Sequence, residues 1–214
     1  QRHHRDSKPM WLASNSGPFE LISLRVENPT LSGLRVLHVS DLHFAPGQRR
    51  KQAFLEDLAT TKPDLVINTG DTLGHKDSIS PALQALEPLM SFPGVFVHGS
   101  NDYRAPKPKN PFAYLSAPSK VASPRNLDTE RFSNELEGHG WLNLNNRSGA
   151  LQLQGKRLGF LGLDDPHESL DDLDSLNGQK SELAATDYLF GIAHAPYMRV
   201  IETFLAQGVG MMFA

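Results

Sequence analysis

Three short apolar runs, each breaking off into polar residues, constrain this chain more than any other feature: LRVLHVSDLH (Leu34–His43), DLVINTGD (Asp64–Asp71) and GVFVHGSND (Gly94–Asp102). Two helical patterns lie between them. Gln48 to Thr60 carries Phe54, Leu55 and Leu58 on one stripe, and Ile79, Leu83, Leu86 and Met90 recur at helical spacing. Near-continuous apolar strands joined by amphipathic helices predict parallel strands in an α/β domain. Asp41 and Asp71 are 30 residues apart, and so are Asp71 and Asn101; each interval fits one strand–helix–strand unit. Successive parallel strands tend to be neighbours, and ligands of such sheets bind outside the strands' carboxyl ends. Asp41 with His43, Asp71, and Asn101 with Asp102 are thus expected at one edge of one sheet.

The flanking segments read less uniformly. FELISLRVE (Phe19–Glu27) alternates and predicts an antiparallel neighbour strand. Pro106 to Arg125 holds five prolines and predicts a long surface loop with one helical turn near Phe112–Leu115. Glu130–Gly138 reads as a short helix, and WLNLNN, ALQLQG and RLGFLGL as strands joined by tight turns. Asp164 to Asp174 contains six acids in eleven residues and predicts a solvated, mobile loop. YLFGIAHAP ends a further strand on His194; Tyr197, Val200, Ile201 and Phe204 mark the next helix. The last residues, GVGMMFA, look like a strand in progress, so truncation inside that element is expected. Residues 1–18 read as a polar leader or linker and 19–214 as one domain. With 21 Lys and Arg against 24 Asp and Glu, no nucleic-acid partner is indicated. The absence of Cys excludes disulfides, a thiol nucleophile and thiolate metal sites. No apolar run is long enough to span a membrane.

Clustered carboxylates repel one another unless a cation or proton compensates. Mixed nitrogen and oxygen donors suit a borderline metal. Asp41 and His43, two residues apart, can reach one ion; Asp71 can bridge two; Asn101 offers a carbonyl oxygen and His194 an imidazole nitrogen. Two metals about 3.5–4 Å apart activate water and neutralise a phosphoryl group. The competing reading of each residue alone is ordinary: a turn, a helix cap or a packed histidine. His38 and His98, inside strands, read as core residues, and His75 as a loop residue. Arg104, Lys107 and Lys109 are either a solvated loop or a phosphate-attracting rim, and Tyr103 stacks on substrate or anchors its loop. No Gly-rich run ending in Lys-Ser or Lys-Thr occurs, so this is no nucleotide P-loop.

In order along the chain, DLH (Asp41–His43), GD (Gly70–Asp71), GSND (Gly99–Asp102) and HAP (His194–Pro196) resemble the motifs of the calcineurin-like metallophosphoesterases over roughly Leu34 to Ala214. The resemblance implies two mixed β-sheets sandwiched between helices. It implies metal-dependent hydrolysis of a phosphate mono-, di- or pyrophosphate ester, with two divalent or mixed-valence ions of manganese, iron or zinc. Asp41 and His43 would hold the first metal, Asp71 would bridge, and Asn101 and His194 would hold the second. The implied partner is a phosphorylated small-molecule or lipid substrate. The nearest flavour is that of bacterial members with a leading anchor or export signal, so a cytoplasmic or membrane-associated protein with an anchor upstream of Gln1 is expected. Two departures bear on mechanism. Asp102 stands where the family has a His that assists catalysis, which makes Asp102, with Asn101, the candidate catalytic residue. The family's closing Gly-His-x-His segment is not reached, and His3, His4, His139 and His167 are not taken as substitutes, so impaired metal binding is expected of this piece. The alternative is a catalytically weak or inactive domain with a binding or regulatory role.

Overall fold

A computed structural model describes residues 19–105, 125–178, 183 and 185–214. The first sheet is assembled from β1 (Val36–Val39), β2 (Leu65–Asn68), β3 (Gly94–Phe96) and β4 (Leu142–Asn143), in that order and all parallel. The second contains β5 (Ser148–Leu153), β6 (Lys156–Gly162), β7 (Tyr188–Ile192) and β8 (Met211–Phe213); β5 is antiparallel to β6 and the rest run parallel. Among the described residues the helices are α1 (Arg49–Leu58), α2 (Ile79–Leu86), the single turn α3 (Ser100–Tyr103), α4 (Thr129–Gly138) and α5 (Met198–Ala206).

Alternation along the strands creates the layers. Leu37, Val39, Val66 and Phe96 pack with Leu55, Leu86 and Phe132 in the core shared by α1, α2 and α4. Leu65, Ile67, Val95 and Val97 point the other way, onto Phe160, Phe190 and Ile192 of the second sheet. On the far side, Leu161 and Ala193 meet Val200 and Phe204 of α5. The result is the expected pair of sheets between helices. Strand ends align because the register pairs Val39 with Asn68 and Asn68 with Phe96.

Several boundaries differ from the sequence reading for physical reasons. α2 stops at Leu86, because Pro88 cannot continue it; a tight turn at Leu89–Ser91 still buries Met90. Phe19–Glu27 forms no strand. Phe19 stacks on Phe54 of α1 at 5.3 Å, which draws the segment over the helix, and Ile22 and Leu24 stay 73% and 87% exposed. This segment lines an apolar groove of about 780 Å³ shared with Phe190, Met211 and Phe213. His38 makes its single hydrogen bond, to Thr69 Oγ1 at 2.8 Å, but it faces this groove and is exposed instead of buried in the core. The helical turn expected near Phe112–Leu115 and the leader at 1–18 lie outside the described residues. Among the described residues, no helix is long and apolar enough to cross a membrane.

Candidate active site

The exits of β1 and β2 run side by side. Asp41 N–H donates to Gly70 O at 3.0 Å, His43 N–H to Asp71 O at 2.9 Å and Phe44 N–H to Thr72 O at 2.7 Å. Three residues here, Asp41, His43 and Asp71, hold left-handed backbone with φ of 52°, 42° and 50°. Such conformations cost on the order of 1 kcal/mol or more each and persist only where the surroundings enforce them. The enforcing contacts are identifiable. Asn68 Oδ1 accepts from Gly70 N–H at 2.9 Å and its amide donates to Thr72 Oγ1 at 2.9 Å, while the buried Lys51 ammonium caps Leu42 O. Gly70 and Gly99 let the exits of β2 and β3 touch: a Cβ on Gly70 would lie 2.4 Å from Gly99 N, and one on Gly99 would lie 2.3 Å from Asp71 Oδ1.

Five sequence-predicted residues converge at this edge. His43 Nε2 lies 3.6 Å from Asp41 Oδ1 and 3.7 Å from Asp71 Oδ2. His194 Nε2 lies 3.7 Å from Asp71 Oδ1. Asn101 donates its backbone N–H to Asp71 Oδ1 at 2.8 Å and its amide to Asp71 Oδ2 at 2.6 Å. His194 Nδ1 sits 2.9 Å from Thr69 O, and a carbonyl only accepts, so Nδ1 donates there and Nε2 is turned toward Asp71. The side chains of Asp71 and His194 are each 7% exposed, whereas that of Asp41 is 59% exposed and opens the site to solvent. The His43 imidazole, aided by the Ser40 hydroxyl at 2.6 Å, holds the Asp41 carboxyl down at about 2. In return, Asp41 and then Asp71 raise the pKa of His43 against the opposing effect of burial. Two carboxylates and two imidazoles gathered at one edge fit a borderline divalent cation. Asp41, Asp71 and His194 each bring one donor atom within 4.8 Å of the others.

Asp102 stands apart from this group. It is completely buried, its Oδ1 accepting from Leu73 N–H at 2.9 Å and its Oδ2 from Gly99 N–H at 3.0 Å. Both oxygens are engaged in joining the β2 and β3 exits, and neither is directed into the cleft. His98 is buried against Ser133 Oγ at 2.8 Å, as a core residue should be. His75 pairs locally with Asp77, away from the five. The Tyr103 hydroxyl lies 2.7 Å from both oxygens of Asp164 and shares its one proton with that carboxylate, and Arg104 pairs with Glu168, so both anchor a loop. Lys107 and Lys109 lie outside the described residues.

The acid-rich segment after β6 is the main surprise. It is solvated only in part: Asp172 and Asp174 are exposed, but Asp165 is fully buried, and burial pushes the carboxyls of Asp164 and Asp165 up. It brings Asp165 and His167 to His194, with donor atoms of all three within 4.8 Å of one another. Sequence reasoning set His167 aside. The available signal was Asp165-x-His167, the same carboxylate-x-imidazole spacing as Asp41-x-His43, again just after a strand.

The sequence profile of the calcineurin-like phosphoesterases matches residues 34–198, and the chain belongs to that family. It is a metal-dependent phosphoesterase, and its described residues include two clusters of candidate metal ligands. Comparison with curated proteins found no match. Among solved structures, the protein TT1561 of Thermus thermophilus aligns with a TM-score of 0.52 at 10% identity, over 84% of this chain and 80% of its own, which supports the fold. Phosphopantetheinyl hydrolase from Mycobacterium tuberculosis aligns at 0.42 and 12% identity, over 83% of this chain and 75% of its own. The NAD nucleotidase of Haemophilus influenzae aligns at 0.45 and 13% identity, over 79% of this chain and 35% of its own.

Proposed function

We propose that the cleft is a dinuclear site in which Asp71 bridges two cations. The observation that carries this is the division of the Asp71 carboxylate: Oδ2 faces His43 at 3.7 Å and Oδ1 faces His194 at 3.7 Å. Asp41 and His43 would hold one cation, and Asn101 and His194 would hold the other. Bound divalent cations of the manganese, iron or zinc class supply charge neutralisation and lower the pKa of water. The chain's own residues do the positioning. Thr69 O fixes the His194 tautomer, and the Asn101 backbone N–H steadies Asp71. Asp102 acts as a positioning residue through Leu73 and Gly99, not as the acid.

The test is hydrolysis of bis(p-nitrophenyl) phosphate and p-nitrophenyl phosphate by manganese-supplied protein. Asp71→Asn should lose activity about 100-fold or more on the preferred ester. Unchanged activity removes the bridging role. Manganese binding without turnover of either ester fits a binding or regulatory domain instead. A narrower reading is favoured by the apolar groove, whose lining includes Asp41 as well as Met211 and Phe213. It suits an ester carrying an apolar group, such as a lipid-linked pyrophosphate acted on at a membrane surface. Equal kcat/KM for a lipid-linked and a short-chain pyrophosphate would remove that reading.

A further inference from the structure

The segment from Asp164 to Asp172 is unused by the five-residue site, yet it is built as firmly as the strand exits. On one side Tyr103 holds Asp164 and Arg104 holds Glu168. On the other, Arg199 grips Asp171 through Nε at 2.8 Å and a terminal nitrogen at 3.0 Å, and also donates to Pro166 O at 2.9 Å. Asn146 closes the base: its Oδ1 accepts from Asp164 N–H at 3.1 Å and Asp172 N–H at 2.9 Å, and its amide donates to Leu170 O at 2.8 Å. A loop fastened by four side chains from elsewhere in the fold holds whatever it carries in a fixed place.

What it carries is donor atoms. The His167 ring stands 5.6 Å from the His194 ring, centroid to centroid, and 5.4 Å edge-on from Tyr197. His167 Nδ1 is 3.3 Å from Asp165 Oδ1. The Asp165 oxygens accept from the backbone N–H groups of His167 at 3.0 Å and Glu168 at 3.2 Å, and an ionised carboxylate has about four acceptor positions, so two remain. No Lys or Arg is paired with the buried Asp165 among the described residues. His194 has one free nitrogen, Nε2, because Nδ1 is committed to Thr69 O. Nε2 stands 3.7 Å from Asp71 Oδ1, and the His194 ring also brings a nitrogen within 4.8 Å of donor atoms of Asp165 and His167.

We propose that Asp165 and His167 are ligands of the same divalent cation as His194, so that the loop after β6 forms a third arm of the metal site. This rests on the dinuclear reading above. Two imidazoles with a carboxylate select a zinc, manganese or ferrous ion over magnesium or calcium.

The experiment is equilibrium dialysis of the purified protein against zinc, with metal counted per chain, for wild type, His167→Ala, Asp165→Asn and Asp71→Asn. The His167 side chain is 51% exposed, so His167→Ala is expected to fold; far-UV circular dichroism and the melting temperature in chelator check it. His167→Ala should weaken one zinc by about tenfold or more and leave the other at wild-type affinity. Asp165→Asn should do the same, and Asp71→Asn should weaken both. Wild-type zinc affinity and stoichiometry in folded His167→Ala, with binding lost in Asp71→Asn, overturns the third arm and leaves the dinuclear reading standing. Wild-type binding in Asp71→Asn as well overturns both.

Discussion

Gly99→Ala tests how the metal site is held together. The backbone at Gly99, with φ of −108° and ψ of 177°, accepts any residue, so the perturbation is purely steric. The added Cβ would lie 2.3 Å from Asp71 Oδ1, 2.7 Å from Asp71 N and 2.9 Å from Asp71 Cγ, where ordinary contact begins near 3.4 Å. The two loops must therefore part by about 1 Å, and the backbone atom cannot rotate aside. Overpacking of this kind costs about 1–3 kcal/mol, which in a chain of this size lowers Tm by roughly 2–12 °C. The same displacement moves Asp71 away from Asn101 N–H, now at 2.8 Å, and from the two imidazoles. Manganese affinity, read by calorimetric titration, should fall by about 100-fold or more. Gly138→Ala is the control, because a Cβ there meets nothing within 4 Å; at a helical position it should not lower Tm, and it should leave manganese binding unchanged. A Gly99→Ala protein that melts within about 1 °C of wild type and binds manganese normally would refute the reasoning.

Three further outcomes follow from the geometry. Asp102→Asn presents an amide N–H to one of two backbone donors, Leu73 or Gly99, and should cost about 1.5–3 kcal/mol in denaturant melts; the pH profile of its residual activity should keep the wild-type shape, and loss of one limb would restore Asp102 as an acid. Tyr103→Phe should cost about 1.5–3 kcal/mol at pH 8 by leaving the Asp164 carboxylate without its strongest donor. Burial already raises the Asp164 pKa and Tyr103 lowers it, so the variant's folded pKa rises further; stability tied to a raised carboxyl is present at low pH and lost as pH climbs through the folded value, so the deficit should shrink toward pH 5, and equal deficits at both pH values would contradict this. Finally, manganese at 100 times its Kd should add about 2.7 kcal/mol for each cation bound, about 5.4 kcal/mol for two, and raise Tm by roughly 11–22 °C over chelator-treated protein; an unchanged Tm would argue against a native cation site.

The strand-exit residues were legible because their information is local. An apolar run sets a strand, the next polar residues must leave it, and a repeat of one strand–helix–strand unit aligns the exits. Asp102 was misplaced by adjacency. It follows Asn101 in sequence, but consecutive residues on a helical turn face different ways, and Asp102 turns inward to Leu73 and Gly99. The same argument explains His38: Leu37 and Val39 are buried, so the residue between them faces the open groove. The Asp164–Asp174 segment misled because charge density suggests solvation only when partners are ignored. Its partners Tyr103, Arg104 and Arg199 lie 61, 64 and 28 residues away, and nothing local to the loop announces them. Phe19–Glu27 alternates like a strand, yet alternation specifies a face and not a pairing edge.

The most direct test of the dinuclear site is anomalous diffraction at the manganese edge from crystals grown with manganese. Two peaks about 3.5–4 Å apart, flanking the Asp71 carboxylate with His43 on one and His194 on the other, are predicted. A manganese-saturated crystal with no peak bonded to Asp71 would contradict it.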